Sequence, residues 1–179
     1  MTTKRKTLFI GCGDGREIMP LANRREHMLI GLEPSDQQYA KAIEVLRGFP
    51  NVRIIKRRIQ DWEAAEHEGD IDRIYFIFPT PVVLRDQAAE IVAKAGFLLT
   101  KDGGRFHIYT EITLSRWPDP GDKAALQKFL RVLGDGRFSI ARNEISFGEL
   151  PRMAKESHCG VLFKNHNLSL FTAIEARKL

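Results

Sequence analysis

The residues best suited to chemistry lie near the N-terminus, in Leu8-Phe9-Ile10-Gly11-Cys12-Gly13-Asp14-Gly15-Arg16. An apolar, strand-like run enters a turn with glycine at alternate positions, and a helix is expected to follow. Glycine permits the tight turn and lets a ligand approach the backbone, while the amides of a helix N-terminus offer donors. Glu33 ends the second apolar run, near the ~20-residue spacing at which an acid meets ribose hydroxyls in nucleotide-binding folds. Loop and acid together predict an adenosyl or nucleotide ligand. A nicotinamide dinucleotide site wants G-x-G-x-x-G, whereas here Arg16 holds the third position and glycine falls one residue earlier, at Gly15. A turn that binds nothing would leave Glu33 unexplained.

A second group follows the fourth apolar run, Ile74-Tyr75-Phe76-Ile77-Phe78-Pro79-Thr80-Pro81. Ligands in open α/β sheets bind beyond the carboxyl ends of strands, and two prolines stiffen this exit for a planar substrate. The simpler reading is an ordinary strand exit. Substrate contacts are expected from Phe78, Pro79 and Thr80, with Tyr109 and Glu111 at the end of the fifth strand. Thr80 and Glu111 are the catalytic candidates, Glu111 as a proton acceptor or as a carboxylate that binds an amide. His107 lies within a strand and reads as packed or surface-exposed rather than catalytic, whereas His158 and His166 fall in an irregular stretch that could contribute to a site. Trp117 is placed either to stack on a base or to cap the core. Cys12 and Cys159 lie far apart, and neither a disulfide framework, a zinc site nor any other metal motif is supported.

These groups need a frame to hold them. Apolar runs at Thr7–Ile10, Met28–Leu32, Val52–Ile55 and Ile74–Phe78 read as strands covered on both faces. Ser35 caps a helix over Asp36–Arg47, with Tyr39, Ala42, Ile43 and Leu46 on one face. A second helix spans Leu84–Leu99, with Ala88, Ile91, Val92 and Ala95 in one stripe. Asp102-Gly103-Gly104 then turns into a strand at Arg105–Thr110. A helix over Asp122–Leu133 leads to strands at Phe138–Ile145 and Ser169–Ala176, which frame the irregular stretch Ser146–Asn167. Strands alternating with helices make a mostly parallel α/β sheet, here seven-stranded, closed by an antiparallel hairpin.

The chain has 179 residues, 28 Lys+Arg against 23 Asp+Glu, a formal net charge of +5 and 43% hydrophobic residues. One domain over residues 1–179 with an ordinary core is expected, and a disordered chain is excluded. No apolar run approaches the ~20 residues of a membrane span, and the N-terminus lacks a signal-peptide core, so a cytoplasmic location is expected. Basic clusters at Lys4-Arg5-Lys6, Arg24-Arg25 and Lys56-Arg57-Arg58 would track phosphates if they shared a face.

Ile10-Gly11-Cys12-Gly13-Asp14-Gly15-Arg16 with Glu33 resembles the first two cofactor motifs of the class I S-adenosylmethionine-dependent methyltransferases, and the inferred seven-stranded, Rossmann-like sheet extends the resemblance over nearly the whole chain. It implies that Gly11, Cys12, Gly13 and Gly15 lie under the methionine moiety and that Glu33 holds the ribose. It also implies that Ile59 flanks the adenine, that Gln60 or Asp61 takes a polar role, and that Phe78 contacts the cofactor. Two departures stand out: Phe9 replaces a common acid, and Arg58 occupies the usual adenine-binding aspartate position. The segment Phe78-Pro79-Thr80-Pro81 is similar to the Phe-Pro-Asp-Pro signature of bacterial-type tRNA (guanine-N7) methyltransferases, with Thr80 in place of the acid. Thr110-Glu111 adds to that likeness, although the group's C-terminal Thr-x-x-Glu motif is absent. The resemblance therefore implies methyl transfer to a nucleobase nitrogen in RNA, such as tRNA. A small-molecule methyltransferase, or a cofactor-binding fold without catalysis that serves a protein partner, are the alternatives.

Overall fold

The computed structural model describes residues 5–63, 67–100, 103–110, 120–136, 138–146 and 170–179. Seven strands alternate with helices: β1 (Arg5–Ile10), α1 (Met19–Ala22), β2 (His27–Leu32), α2 (Asp36–Leu46), β3 (Val52–Ile55), β4 (Arg73–Ile77), α3 (Pro81–Asp86), α4 (Ala88–Leu98), β5 (Arg105–Thr110), α5 (Pro120–Asp135), β6 (Phe138–Ser146) and β7 (Leu170–Lys178). They form one sheet in the order β3-β2-β1-β4-β5-β7-β6. Strands β1 to β5 pair in parallel, and β7 runs antiparallel to both β5 and β6. The expected α/β, Rossmann-like sheet with an antiparallel C-terminal pair is what the chain forms. From β1 the chain winds outward to β2 and β3, then returns to lay β4 on the other side. That reversal opens a crevice beyond the carboxyl ends of β1 and β4, where a ligand of an open α/β sheet binds.

Strand residues alternate between two cores. Leu8, Ile10, Ile74, Phe76 and Ile108 face α4 and α5, meeting Ile91, Val92, Leu126 and Phe129. Phe106 meets Phe129 edge-on, with centroids 6.5 Å apart, and fastens α5 to the sheet. Phe9, Leu29, Tyr75 and Tyr109 line the opposite face with Ile18, Leu21 and Leu46. On that face Phe9 stacks on Tyr75 at 5.2 Å and Tyr75 on His107 at 4.9 Å, a row of rings across β1, β4 and β5.

Several expectations are corrected. The helix expected over Leu84–Leu99 is two helices, α3 and α4, broken at Gln87, whose φ of −115° and ψ of 6° leave the helical region. The exit after β4 is the start of α3: Pro81 sits in its first turn and the Thr80 hydroxyl accepts from Val83 N. Strand β4 stops at Ile77 because Phe78 has φ +50°, incompatible with a strand. In α2, Ser35 caps as expected, but Ile43 is exposed while Ala42 and Leu46 are buried. No long helix follows the glycine loop. Successive turns lead from Gly15 to α1, which has only four residues, so helix amides do not serve the loop. Glu111, Trp117, His158, His166 and the stretch 147–167 lie outside the described residues.

The basic clusters do not share a face. Arg5 is in register with His27 at the start of β1 and β2, beside Arg24 and Arg25, whereas Lys56–Arg58 follow the far end of β3. Lys6 is paired with Asp70 and Lys56 with Asp36.

Candidate cofactor and acceptor site

Three left-handed glycines build the loop after β1: Gly11 at φ +61°, Gly13 at +56° and Gly15 at +82°. A Cβ on Gly11 or Gly13 would meet nothing within 4 Å, so that backbone faces open space. Gly15 differs, because a Cβ there would lie 2.6 Å from Leu46 Cδ1 and 3.3 Å from Ala42 Cα. It therefore does the close-packing work that the third glycine of a dinucleotide fingerprint does, one residue earlier in the chain.

Glu33 fixes the loop. Gly13 N donates to its Oε2 at 2.8 Å and Ser35 N to its Oε1 at 2.9 Å, while the side chain is only 6% exposed. An ionised carboxylate has about four acceptor positions, so two backbone bonds leave capacity for hydroxyl groups. Glu33 thus both latches the glycine turn and carries acceptor oxygens at the carboxyl end of β2. Cys12 N donates to Leu32 O at 3.0 Å, completing the tie between loop and β2. The Cys12 thiol is 5% exposed, and burial, with Glu33 and Glu17 adding to it, pushes its pKa up to about 12. It stays protonated and contributes backbone and volume rather than a nucleophile.

The loop separates two cavities that share Ile10 and Gly11. The first, about 170 Å³, is lined by Phe9, Cys12, Gly13, Glu17, Tyr75, Ile77 and Phe78. The second, about 260 Å³, is lined by Pro34, Arg57, Arg58, Ile59, Gln60, Phe76, Val83, Gln87 and Ile91. Ile59 and Gln60 thus come together with the glycine loop, as expected, and Gln87 joins them without having been expected. A glutamine between two helices carries no sequence signal of its own.

Phe78 closes the first cavity from the end of β4. A non-glycine residue at φ +50° costs roughly 1–3 kcal/mol and is held only where its surroundings fix it. Here Phe78 N donates to Tyr109 O at 2.7 Å, which locks the exits of β4 and β5 together. Tyr109 itself is 6% exposed and packs in the core, and Pro79 is buried. Thr80 is exposed, with its hydroxyl engaged as the cap of α3 at 3.4 Å from Val83 N. Among the described residues no group of three His, Cys, Asp or Glu could hold a metal ion, and no helix is long and apolar enough to cross a membrane.

An S-adenosyl ligand fits this arrangement, since side-chain-free backbone faces open space between two cavities and a buried carboxylate with spare acceptor positions stands beside it. The comparisons agree. The family profile described as a methyltransferase domain matches residues 8–104, more than half the chain, and the chain belongs to that family. With its seven-stranded sheet, it is a class I methyltransferase that uses S-adenosylmethionine. No curated protein matches it.

Solved structures share the fold. The geranyl diphosphate C-methyltransferase from Streptomyces coelicolor A3(2), in complex with S-adenosyl-L-homocysteine, superposes with a TM-score of 0.68 at 15% identity, covering 99% of this chain and 70% of that one. A SAM dependent methyltransferase from Aquifex aeolicus gives 0.68 at 12% identity, over 98% and 83% of the two chains. The [4+2]-cyclase SpnF gives 0.66 at 17% identity, over 97% and 75%. At such identities the likeness is one of fold, and the site must decide the acceptor.

Proposed function

We propose that this methyltransferase acts on a small molecule, whose reacting atom is presented in the cavity between the glycine loop and the exit of β4. The observation that carries this reading is the cavity itself: about 170 Å³, walled by Phe9, Tyr75, Ile77 and Phe78, with Glu17 as its charged lining residue. Its glycine side takes the methionine portion of the cofactor, and the apolar wall opposite suits a compact acceptor held against it. The geranyl diphosphate C-methyltransferase of Streptomyces coelicolor, which shares the fold, is likewise named for a small molecule. A tRNA acceptor has less support, because among the described residues the basic clusters are divided between the two ends of the sheet rather than gathered on one phosphate-tracking face.

S-adenosylmethionine supplies an electrophilic methyl group on a sulfonium. In this reading Gly11, Cys12, Gly13 and Gly15 place their backbone against the methionine portion, Glu33 accepts from the ribose hydroxyls, and Ile59 and Gln60 meet the base. Phe78 forms part of the wall opposite the loop and excludes water, with the buried Pro79 following it. Methyl transfer is an in-line displacement, so the rate depends on alignment of acceptor, methyl and sulfur in a dry site. The locked Phe78 backbone serves that alignment. Thr80 and Glu111 remain the candidates for substrate contact and proton handling, Tyr109 supports the Phe78 turn from the core through its carbonyl, and residues 1–179 act as one catalytic unit.

Incubation with methyl-labelled S-adenosylmethionine and either unmodified tRNA or a metabolite extract tests the proposal. Label is expected in the extract. Label in tRNA alone overturns the small-molecule reading.

A further inference from the structure

The second cavity contains a side-chain arrangement that the usual acidic contact does not explain. Gln60 Nε2 donates to Gln87 Oε1 at 2.7 Å, joining the loop after β3 to the break between α3 and α4. Both residues are half-buried and both line the cavity, whose apolar walls include Ile59, Val83 and Ile91. A primary amide has one carbonyl oxygen and two N–H donors. Their mutual bond uses one donor and one acceptor site. It leaves the Gln60 carbonyl able to accept and the Gln87 amide able to donate. Exchanging nitrogen and oxygen in both side chains reverses the bond but leaves the same complementary set, so the conclusion is independent of how the amides are oriented.

We propose that the Gln60–Gln87 amide pair reads the Watson–Crick edge of the cofactor's adenine, replacing the carboxylate whose position Arg58 occupies. Adenine presents an amino donor next to a ring-nitrogen acceptor on that edge, and one free carbonyl beside one free amide matches it. A cavity with apolar walls and this polar edge, beside Arg57 and Arg58, suits a purine. Gln87 holds its place because its backbone ends α3: its N–H donates to Val83 O at 3.0 Å, while its φ and ψ turn the chain into α4. The helix break is therefore what brings the second amide into the cavity. This inference rests on the cofactor reading above.

The test is calorimetric titration of the wild type and of the Gln60→Leu/Gln87→Leu double variant with two ligands. S-adenosylhomocysteine carries the base, and S-ribosylhomocysteine lacks it. Replacing both partners of a hydrogen bond by apolar groups of similar shape is close to neutral for stability, and a melting curve confirms that the variant folds. The double variant is expected to bind S-adenosylhomocysteine about tenfold more weakly, or about 1.4 kcal/mol, with S-ribosylhomocysteine changed by less than about twofold. Unchanged affinity for the adenosyl ligand, or an equal loss for both ligands, overturns the proposal and reduces the pair to a tie between loop and helix. A wild-type protein that binds neither ligand overturns the cofactor reading itself.

Discussion

His107 shows how far burial redefines a side chain at this site's edge. It is 7% exposed, stacked on Tyr75, with Arg73 and Arg105 nearby and Glu175 Oε2 3.8 Å from its Nδ1, and its Nε2 has no hydrogen-bond partner. Burial above all, then the two arginines, lowers its pKa from 6.5 to about 3. The folded imidazole stays neutral while the unfolded one takes up a proton. Its contribution to stability is therefore complete above about pH 6.5 and is lost as pH falls toward 3, by at most about 1.4 kcal/mol per pH unit. Denaturant titrations at pH 7, 5.5 and 4 should show the wild type losing more stability than His107→Phe, which keeps the ring stack without the titrating group. Parallel loss in the two proteins would refute that account. At this scale much was legible: glycine spacing and Glu33 marked the loop, and its strand position set His107 apart from the catalytic candidates without telling a packed ring from an exposed one. The latch between Glu33 and Gly13 N was not legible, because a spacing of residues does not reveal which backbone amide a carboxylate meets.

Thr80 illustrates the element scale, where one hydroxyl has a structural duty before any chemical one. It caps α3, and such a cap is worth about 1 kcal/mol. Thr80→Asp keeps a capping acceptor and removes the hydroxyl, whereas Thr80→Ala removes both. If Thr80 acts only as a cap, the Asp variant should retain near wild-type transfer rates and melting temperature, with the Ala variant less stable by about that amount. A large fall in kcat for both variants, at intact melting temperature for Asp, would instead place the hydroxyl in the reaction. Strand positions and the capped α2 followed from sequence because apolar runs and Ser35 are strong local signals. The α3–α4 break did not, because Gln87 is neither glycine nor proline and the apolar stripe of Ile91, Val92 and Ala95 runs on past it. The missing helix after the glycine loop has the same kind of cause: Pro20 and the turns at Gly15–Ile18 shorten α1 to four residues, although the glycines themselves invite a helix.

For the whole molecule, the net charge of +5 is less informative than its placement. Arg24 and Arg25 precede β2 at the end of the sheet opposite the crevice, while Arg57 and Arg58 lie along the second cavity. Neutralising the distant pair, Arg24→Gln with Arg25→Gln, should leave methyl transfer to a small acceptor unchanged in steady-state rates. A marked loss of kcat/KM would point to an extended acceptor that reaches across the molecule. Strand and helix alternation gave a mostly parallel sheet with its ligands beyond the carboxyl ends of the strands, whereas the reversal of winding at β1 that opens the crevice is seen only in the strand order. Charge clusters close in sequence carried no such information, since consecutive parallel strands send their two ends to opposite sides.

The place of β7 bears on how the chain assembles during synthesis. It lies between β5 and β6 although it follows both in the chain. Strands β1 to β5 can pair in the order in which they leave the ribosome, together with the site they carry. Strand β6 precedes β7, the strand it pairs with among the described residues, and so can join the sheet only when β7 slots in. The crevice beyond β1 and β4 thus belongs to the part of the sheet that can form first, before β7 links β6 to β5.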